Sequence, residues 1–344
     1  MELEETIYMS QPEGFKVAGK EDYVCLLKKS LYGLKQSPKQ WYRRFDTFIT
    51  KNGFNRSSYD SCVYVKGSTY QDMVYLLLYV DDMLLASKKL VEVQKLKMIM
   101  QSEFDMKNLG KAQRILGMDI LRNEKKDVLF LSQKEYLDKV IKRFGMVDAK
   151  PVSVPLSAHF KLSAEMCPKK EEEVKKMAIV PYTSAIGSVM YAMVCPRPGI
   201  AQSVSLVSRY MSNLERAHCE AVKRLLRHLK GSLNTGLLFK RSEESTFLIK
   251  GYVDDDYVGD LDKRRSSIGY IFTLGGGCIS WKSQIQSIVA LSTTESEYIA
   301  VTECIEEAFW VKGITAELGI PEKRLTVFCD SQSAIHLSRN QMYQ

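Results

Sequence analysis

Hydrophobic positions near the start of the chain follow a helical spacing. After Pro38, a residue tolerated in a first helical turn, Trp41, Phe45, Phe48 and Ile49 recur on one side of a helical wheel. This pattern predicts an amphipathic helix whose aromatic face lies in a core.

Strand-like runs follow this helix. Cys62–Lys66 and Met73–Tyr79 are rich in β-branched, aliphatic and aromatic residues and flank a Gly-Ser-Thr loop, which predicts two strands. A third, short strand is predicted over Met83–Ala86. Because Asp81 and Asp82 separate the last two strands, we expect them at the tip of a β-hairpin.

The second half of the chain has a different pattern. A segment at 169–176 carries seven charged residues in eight, which predicts a solvated connector. A long helical pattern follows from about Thr183 to Leu229. Strand-like runs return at Phe247–Val253 and Leu325–Cys329, with a helix expected to begin near Thr293. The alternation predicts a mixed α/β (α+β) fold.

Composition adds size and charge to this picture. The chain has 344 residues, 45% of them hydrophobic and 26% charged, which is typical of globular proteins. Its length predicts two linked domains. A formal net charge of +8 favours a polyanionic partner, but the same charge also serves solubility, and composition leaves both interpretations open.

Cysteine spacing and hydropathy argue against several protein classes. The eight cysteines occur singly, without a CxxC pair or a Cys/His set at zinc spacing, so we expect reduced core thiols in an intracellular protein. The longest apolar run, Met73–Val80, is far short of the ~20 residues of a membrane span, and the acidic start is unlike a signal peptide. We therefore expect a soluble protein with no membrane partner.

Asp81 and Asp82 interrupt an apolar region, where uncompensated carboxylates are costly. Aspartate is common and harmless in tight turns, so the dipeptide alone favours a turn. The alternative is a divalent-metal site, because Mg²⁺ is bound by carboxylate oxygens together with substrate phosphates.

Acidic residues also recur at predicted element ends near the C-terminus. Asp254 and Asp330 each follow a predicted strand, and Glu295 lies at a predicted helix start. Ligands commonly gather at strand ends in α/β sheets, so these three acids can form one cluster. Four neighbouring acids are interpreted as solvated loop or helix residues: Asp255, Asp256, Asp260 and Glu297.

Residues 221–230 form an amphipathic helical pattern that Gly231 is expected to end. Lys223, Arg224 and Arg227 lie mostly opposite its leucine stripe. This basic face is either a phosphate-contacting surface or an ordinary solvated helix face, and the sequence leaves both open.

Two sequence blocks resemble a known family. Tyr79-Val80-Asp81-Asp82 resembles the YxDD signature of reverse transcriptases, and Ser30–Pro38 (SLYGLKQSP) resembles the substrate-facing block that precedes it in copia-type LTR retrotransposons. Further matches occur at Tyr8–Phe15, Leu109-Gly110, Leu116-Gly117 and Leu131-Ser132-Gln133. Because of these blocks, the first part of the chain resembles the reverse transcriptase of a copia-type Pol polyprotein.

Four later blocks resemble the RNase H domain of the same elements. Three contain the predicted acids, and the fourth lies between the first two of them. In chain order the blocks are Gly251–Asp254, Gly275–Lys282, Ser292–Glu295 and Val327–Ser331. This order matches that of the family. Tyr257-Val258 departs from its usual Trp-Ala, which concerns packing more than chemistry.

The resemblance implies three segments. We expect a reverse transcriptase palm and thumb over 1–155, a linker and helical connection over 156–246, and an RNase H-like domain over 247–344. The fingers and the first catalytic motif would precede this chain, and a fourth RNase H acid would follow it. We therefore expect that the isolated chain does not polymerise nucleotides.

The resemblance also implies site residues and cofactors. The catalytic metal ligands would be Asp81, Asp82, Asp254, Glu295 and Asp330, with two Mg²⁺ or Mn²⁺ ions per site for phosphodiester chemistry. Residues that would contact nucleic acid or deoxynucleotides are Tyr79, Gly33, Gln36, Ser37 and Pro38, together with Lys223, Arg224 and Arg227 of the basic helix.

The implied function is that of a retrotransposon Pol fragment, related to an RNA-directed DNA polymerase with RNase H activity on the RNA strand of an RNA/DNA hybrid. Such a protein acts in transposon reverse transcription and the DNA integration cycle. Its partners would be template-primer and hybrid nucleic acid, and its location cytoplasmic, in virus-like particles for intact elements. The alternatives are a non-catalytic nucleic-acid-binding remnant and an inert one.

Overall fold

The computed structural model describes residues 3–69, 71–157, 159–241, 247–320 and 322–339. These residues form two compact units. Unit 1 contains the chain up to Met106 with Glu317–Gly319, and unit 2 contains Lys107–Ala316 with the residues from Ile320 onward. The mixed α/β class is confirmed. Because the units are defined by packing and the three predicted segments by resemblance, the boundaries near 155 and 246 stay predictions.

Unit 1 is built on a four-stranded antiparallel sheet. Its elements are β1 (Tyr8–Ser10), β2 (Val24–Leu26), α1 (Ser37–Lys51), β3 (Asn55–Arg56), β4 (Val63–Lys66), β5 (Val74–Tyr79), β6 (Asp82–Ser87) and α2 (Leu90–Glu103). The strand order is β3-β4-β5-β6, and β1 pairs separately with β2. Phe45 and Ile49 of α1 are fully buried with Tyr64 and Leu76 of the sheet, so the predicted aromatic helix and its buried face are confirmed.

The first part of unit 2 combines a second antiparallel sheet with packed helices. Its elements are β7 (Arg114–Ile115), β8 (Met118–Asn123), β9 (Val128–Ser132), α3 (Lys134–Arg143), α4 (Glu171–Ala178), α5 (Tyr182–Val194), α6 (Ala201–Ser208), α7 (Arg216–Gly231) and β10 (Gly236–Lys240). The strand order is β10-β9-β8-β7. Helices α3, α5, α6 and α7 share one apolar core, with Ile186, Leu225 and Leu229 fully buried.

The last part of unit 2 is a mixed sheet packed against a long helix. Its elements are β11 (Phe247–Asp260), β12 (Arg265–Leu274), β13 (Gly277–Ile285), α8 (Thr293–Glu317), β14 (Glu322–Phe328) and α9 (Gln332–Arg339). The strand order is β13-β12-β11-β14, and β11 and β14 are parallel whereas the other pairs are antiparallel. Ile249, Val253 and Phe272 of the sheet pack with Ala300 and Cys304 of α8.

The charged segment at 169–176 is helical rather than a simple connector. It overlaps α4, which has no buried residue among those described. Three glutamates occupy the first turn of α4 and two lysines the last, an arrangement that favours the helix dipole. The segment is therefore solvated, as predicted, but ordered as a helix.

Strand β11 is longer than predicted. It continues through Asp260, so Asp254, Asp255 and Asp256 lie within a strand and not in a loop after it. All three pair with residues of β12, which holds this part of the backbone extended in the sheet. Consequently the side chains of neighbouring acids point to opposite faces of the sheet.

The most apolar helix of unit 2 is an interior one. Ile186 and Val189 of α5 are fully buried in the helical core. Among the described residues, no single helix combines the length and hydropathy of a membrane span. The pair α4 and α5, bent by 49°, meets those requirements only when its two helices are taken together.

Candidate functional site

The first group of predicted site residues lies on the β5–β6 hairpin of unit 1. Tyr79 ends β5 and pairs with Asp82, which begins β6, while Val80 and Asp81 form the turn. Both carboxylates are exposed to solvent. The predicted position at a hairpin tip is confirmed, and this geometry is compatible with a plain turn and with a metal ligand role.

Val80 has a left-handed backbone conformation, with a φ of 52°. A β-branched residue is rarely found there, and such a conformation costs about 1–3 kcal/mol and persists only when its surroundings hold it. Trp41 of α1 contributes to holding it, because the indole N–H donates to the Val80 carbonyl oxygen at 3.0 Å. No local pattern indicates this contact, since 39 residues separate its two partners.

The segment before α1 is folded on itself. Gly33 has a φ of 99°, in the region that favours glycine. The Ser37 hydroxyl donates to a backbone carbonyl of the same segment at 2.5 Å, and Pro38 occupies the first turn of α1. The side-chain oxygen of Gln36 accepts from the Glu4 backbone N–H at 3.1 Å. These contacts shape the loop, and the nucleic-acid contacts of its residues stay predictions.

The second group of predicted site residues lies where β11 and β14 run side by side in unit 2. The strands are parallel and pair Tyr252 with Phe328. Asp254 lies two residues further along β11, and Asp330 lies two residues beyond the end of β14. The topology therefore brings these two distant acids to the same edge of the sheet, as their positions after predicted strands led us to expect.

Asp255 and Glu297 complete this group. Glu297 lies in the first turns of α8, and the charge of Asp255 acts on its carboxyl group. Ligand atoms of Glu297, Cys329 and Asp330 all lie within 4.8 Å of one another. The charge of Asp254 acts on both Asp255 and Glu297. Four residues are from here on called the acidic cluster: Asp254, Asp255, Glu297 and Asp330.

Burial and like charge act together in the acidic cluster. Burial, followed by the charge of Asp255, raises the pKa of Glu297 to about 7. Burial also raises the pKa of Asp255, although hydrogen bonds to Ser296 and Glu297 act in the opposite direction. A bound cation relieves repulsion of this kind, and carboxylate oxygens are the ligands that Mg²⁺ and Mn²⁺ prefer. The donor set therefore fits a divalent cation.

Glu295, which we predicted in this site, is not part of the acidic cluster. Its carboxylate instead accepts a hydrogen bond from the Leu291 backbone N–H at 2.8 Å, in the loop before α8. Residues two apart on a helix point about 200° away from each other. Glu297 shares a helix face with the fully buried Cys304, seven positions later, whereas Glu295 lies on the opposite face. The spacing of Ala300, Cys304 and Ala308 is the sequence signal that indicates Glu297.

The interpretation of the neighbouring acids as solvated loop residues is wrong for two of them. Asp255 is half-buried on the face of β11 that carries Val253, and its carboxylate accepts a hydrogen bond from the Ser296 hydroxyl. Asp260 is only 3% exposed and accepts hydrogen bonds from backbone N–H groups of the following turn. Asp256 is exposed, as expected.

Cys329 lies beside the acidic cluster. Its sulfur is 4.0 Å from a carboxylate oxygen of Glu297, and burial raises the pKa of the thiol. All eight cysteines are free, as predicted, and Cys167, Cys219 and Cys304 are buried. Cys62 is exposed, so the expectation of core thiols throughout is wrong.

The basic helix is α7, and its predicted end at Gly231 is confirmed. Lys223 is exposed and forms an ion pair on its own helix at 3.7 Å. Arg227 and Lys230 donate to backbone carbonyls of the loop at 147–150, at 2.6 and 2.8 Å, and Arg224 is half-buried. Much of this basic face therefore anchors a loop, and phosphate contact by Lys223, Arg224 and Arg227 stays a prediction.

Comparison with known proteins gives consistent matches. The family model described as reverse transcriptase (RNA-dependent DNA polymerase) matches residues 1–158. The chain is 53% identical to the Pol polyprotein from transposon TNT 1-94 of Nicotiana tabacum, over 99% of this chain and 26% of that protein. It is 34% identical to the Pol polyprotein from transposon RE1 of Arabidopsis thaliana, over 99% of this chain and 22% of that protein. No solved structure matches the chain.

A shorter relative matches over most of both lengths. The putative transposon Ty5-1 protein of Saccharomyces cerevisiae is 29% identical, over 89% of this chain and 96% of that protein. Together with the YxDD hairpin, these matches define a protein of the reverse transcriptase class.

The chain belongs to the copia-type retrotransposon Pol family. It spans about a quarter of the length of the two plant Pol polyproteins, at 26% and 22%. Reverse transcriptase domains use divalent metal ions and bind a nucleic-acid template.

Proposed function

We propose that unit 2 is a divalent-metal-dependent nuclease that cleaves the RNA strand of an RNA/DNA hybrid. The observation that carries this proposal is that Glu297 of α8 and Asp330 after β14 have ligand atoms within 4.8 Å of each other, and that the charges of Asp254 and Asp255 of β11 act on Glu297. Like charges so close together are unfavourable, and either a bound cation or the uptake of a proton relieves their repulsion.

Asp254, Glu297 and Asp330 would hold Mg²⁺ or Mn²⁺ ions, two by family resemblance. The ions would supply positive charge for the attacking water and the departing oxygen of the phosphodiester. Glu297, with a pKa of about 7, can hold or release a proton near neutral pH. Asp255, whose charge acts on Glu297 and whose carboxylate accepts from the Ser296 hydroxyl, would lie next to these ligands.

For unit 1 we propose that Asp81 and Asp82 are ligands of a divalent ion next to template-primer and deoxynucleotide. Tyr79 and the Gly33–Pro38 segment, which belong to sequence blocks of the same family, would contact the nucleic acid or the deoxynucleotide. Two exposed carboxylates on a hairpin tip leave most of an ion's coordination to water. We therefore expect no templated incorporation by the isolated chain in a primer-extension assay. Incorporation that Asp81→Asn abolishes would contradict this expectation.

Cleavage of an end-labelled RNA/DNA hybrid tests the nuclease proposal. With Mg²⁺ or Mn²⁺, the Asp254→Asn and Glu297→Gln variants are expected to lose at least about 100-fold in rate, since removing one preorganised group commonly costs that much. Glu295→Gln is the matched control on the same helix, and its rate should stay within a few-fold of the unmodified chain.

The absence of cleavage by the folded, unmodified chain would contradict the nuclease proposal. The competing function is nucleic-acid binding without catalysis. It would appear as hybrid affinity that falls steeply with salt, because phosphate contacts release counterions, and that survives Asp254→Asn.

A further inference from the structure

Gln286 is a fully buried polar residue close to the acidic cluster. It directly follows β13, and its side-chain nitrogen donates to the Ser296 carbonyl oxygen at 2.8 Å and to the Ser296 hydroxyl oxygen at 3.2 Å. Both residues are 0% exposed. Burying an amide costs free energy of folding unless its polar groups are paired; here the NH₂ group is paired with Ser296, while the side-chain oxygen has no hydrogen-bond partner among the described residues.

The chemistry of Ser296 determines the orientation of the Gln286 amide. A backbone carbonyl oxygen only accepts hydrogen bonds, so the NH₂ end of the amide must face Ser296. Because the same NH₂ group also donates to the Ser296 hydroxyl oxygen, the hydroxyl hydrogen is left to point elsewhere. Its acceptor is the Asp255 carboxylate.

Asp255 connects this pair to the rest of the acidic cluster. Its carboxylate accepts from the Ser296 hydroxyl, and its charge acts on Glu297. A carboxylate that accepts such a bond has a restricted rotamer, and linked hydrogen bonds strengthen one another in a buried site. The orientation of Gln286 is thereby transmitted through Ser296 to the Asp255 carboxylate.

We infer that Gln286 and Ser296 are positioning residues, which hold the Asp255 carboxylate in place next to the Glu297 group that binds a divalent ion. The inference rests on the proposed nuclease function, since it assigns the support of that same site. In metal sites, loss of the groups that orient the ligands typically costs about 10- to 100-fold in metal affinity or activity.

The same sheet and helix offer a matched control. Ser280 of β13 donates to the Glu307 carboxylate of α8 at 2.6 Å, so it makes a part-buried bond between a hydroxyl and a carboxylate. Glu307 lies ten positions after Glu297, which is nearly three helical turns away. Ser280→Ala therefore removes a comparable bond from the same interface without touching the hydrogen bonds of the acidic cluster.

The test measures Mn²⁺ affinity of the full chain by water-proton relaxation. Ser296→Ala, and Gln286→Met, which keeps the side-chain length without the amide, are each expected to weaken Mn²⁺ binding about 10-fold. Ser280→Ala should stay within about twofold of the unmodified chain. Unchanged affinity in Ser296→Ala and Gln286→Met, or an equal loss in Ser280→Ala, would overturn the inference, because the residues would then have only a general structural role.

Hybrid cleavage by the same proteins separates this inference from the proposed function. If the variants differ in Mn²⁺ affinity but the unmodified chain does not cleave, the inference stands and the nuclease proposal fails. If the unmodified chain cleaves and Ser296→Ala binds Mn²⁺ equally well, the inference alone fails. An unmodified chain that binds no Mn²⁺ overturns both.

Discussion

The tetrapeptide Tyr-Val-Asp-Asp occurs twice in this chain, at 79–82 and at 252–255, with opposite outcomes. In unit 1 it reverses the chain: Val80 is 51% exposed with a φ of 52°, and both aspartates face solvent. In unit 2 it continues a strand, and Val253 is 6% exposed in a core.

The partners of the two segments explain this difference. At 79–82 the flanking strands β5 and β6 pair with each other, so the tetrapeptide has to contain the turn. At 252–255 the strand is held between β12 and β14, which keeps it extended and sends Asp254 and Asp255 to opposite faces. Among the described residues, carboxyl groups of other elements lie next to the second segment and not next to the first, so environment and not local sequence distinguishes a hairpin tip from the acidic cluster.

The largest expected contrast is in metal affinity. Removing groups that orient metal ligands costs about 10- to 100-fold, so Asp330→Asn, which removes a proposed ligand, should weaken Mn²⁺ binding at least about 100-fold. Asp82→Asn, the corresponding change at the exposed hairpin, should change the tightest Mn²⁺ affinity less than about twofold. Calorimetric titration measures both, and a larger loss in Asp82→Asn would reverse the ranking of the two segments.

A second contrast concerns the packing just before the second tetrapeptide. A Cβ added at Gly251 would lie 2.7 Å from the ring of Phe272, which is 0% exposed. We expect Gly251→Ala to lower the free energy of unfolding by about 1–3 kcal/mol through overpacking. Gly269→Ala is the control in β12, because its nearest contact is 4.0 Å away, and it should change stability by less than about 0.5 kcal/mol. Urea unfolding measures both variants, and equal losses would contradict the close approach.

The raised pKa of Glu297 predicts a pH dependence of stability. Because burial and the charge of Asp255 raise this pKa from 4.5 to about 7, the folded chain binds this proton more tightly than the unfolded chain. Titration of Glu297 therefore lowers the free energy of unfolding as pH rises from 4.5 to about 7, and it changes this free energy no further outside that pH range.

Glu297→Gln tests this sign. The loss of stability between pH 5 and pH 8, measured by urea unfolding, should be smaller in this variant by about 1 kcal/mol once solvent screening is allowed for. Glu295→Gln should retain the slope of the unmodified chain. A variant slope steeper than that of the unmodified chain would show that the Glu297 proton is bound less tightly on folding.

The smallest expected effect concerns the turn in unit 1. Trp41→Phe keeps an aromatic ring but removes the indole N–H donor to Val80, and should cost about 1 kcal/mol. Val80→Gly relieves the left-handed conformation but adds entropy to the unfolded chain, so we expect a net change below about 1 kcal/mol. Thermal unfolding of the single and double variants measures the coupling, and strict additivity would mean that Trp41 does not restrain the turn.

Several features of the molecule could be predicted from the sequence. Periodicity predicts the buried face of α1, and composition and spacing predict the strands around Asp81 and Asp82. The order of short motifs indicates the family, because catalytic and turn residues form short sequence motifs that can be recognised without knowledge of the packing. The helical pattern of α7 and its end at Gly231 can also be predicted from a short stretch of sequence.

Only the tertiary structure decided which acids meet. Asp254 and Asp255 are neighbours in one strand, and Glu295 and Glu297 are two apart in one helix, so each local pattern contains both members of its pair. Which glutamate lies beside Asp330 depends on the rotation of α8 about its axis, and which aspartate faces α8 depends on the strand face that this helix covers. Those choices are made by long-range packing and by buried contacts such as that of Gln286 with Ser296, whose partners come from separate elements and leave no signal in a local stretch of sequence.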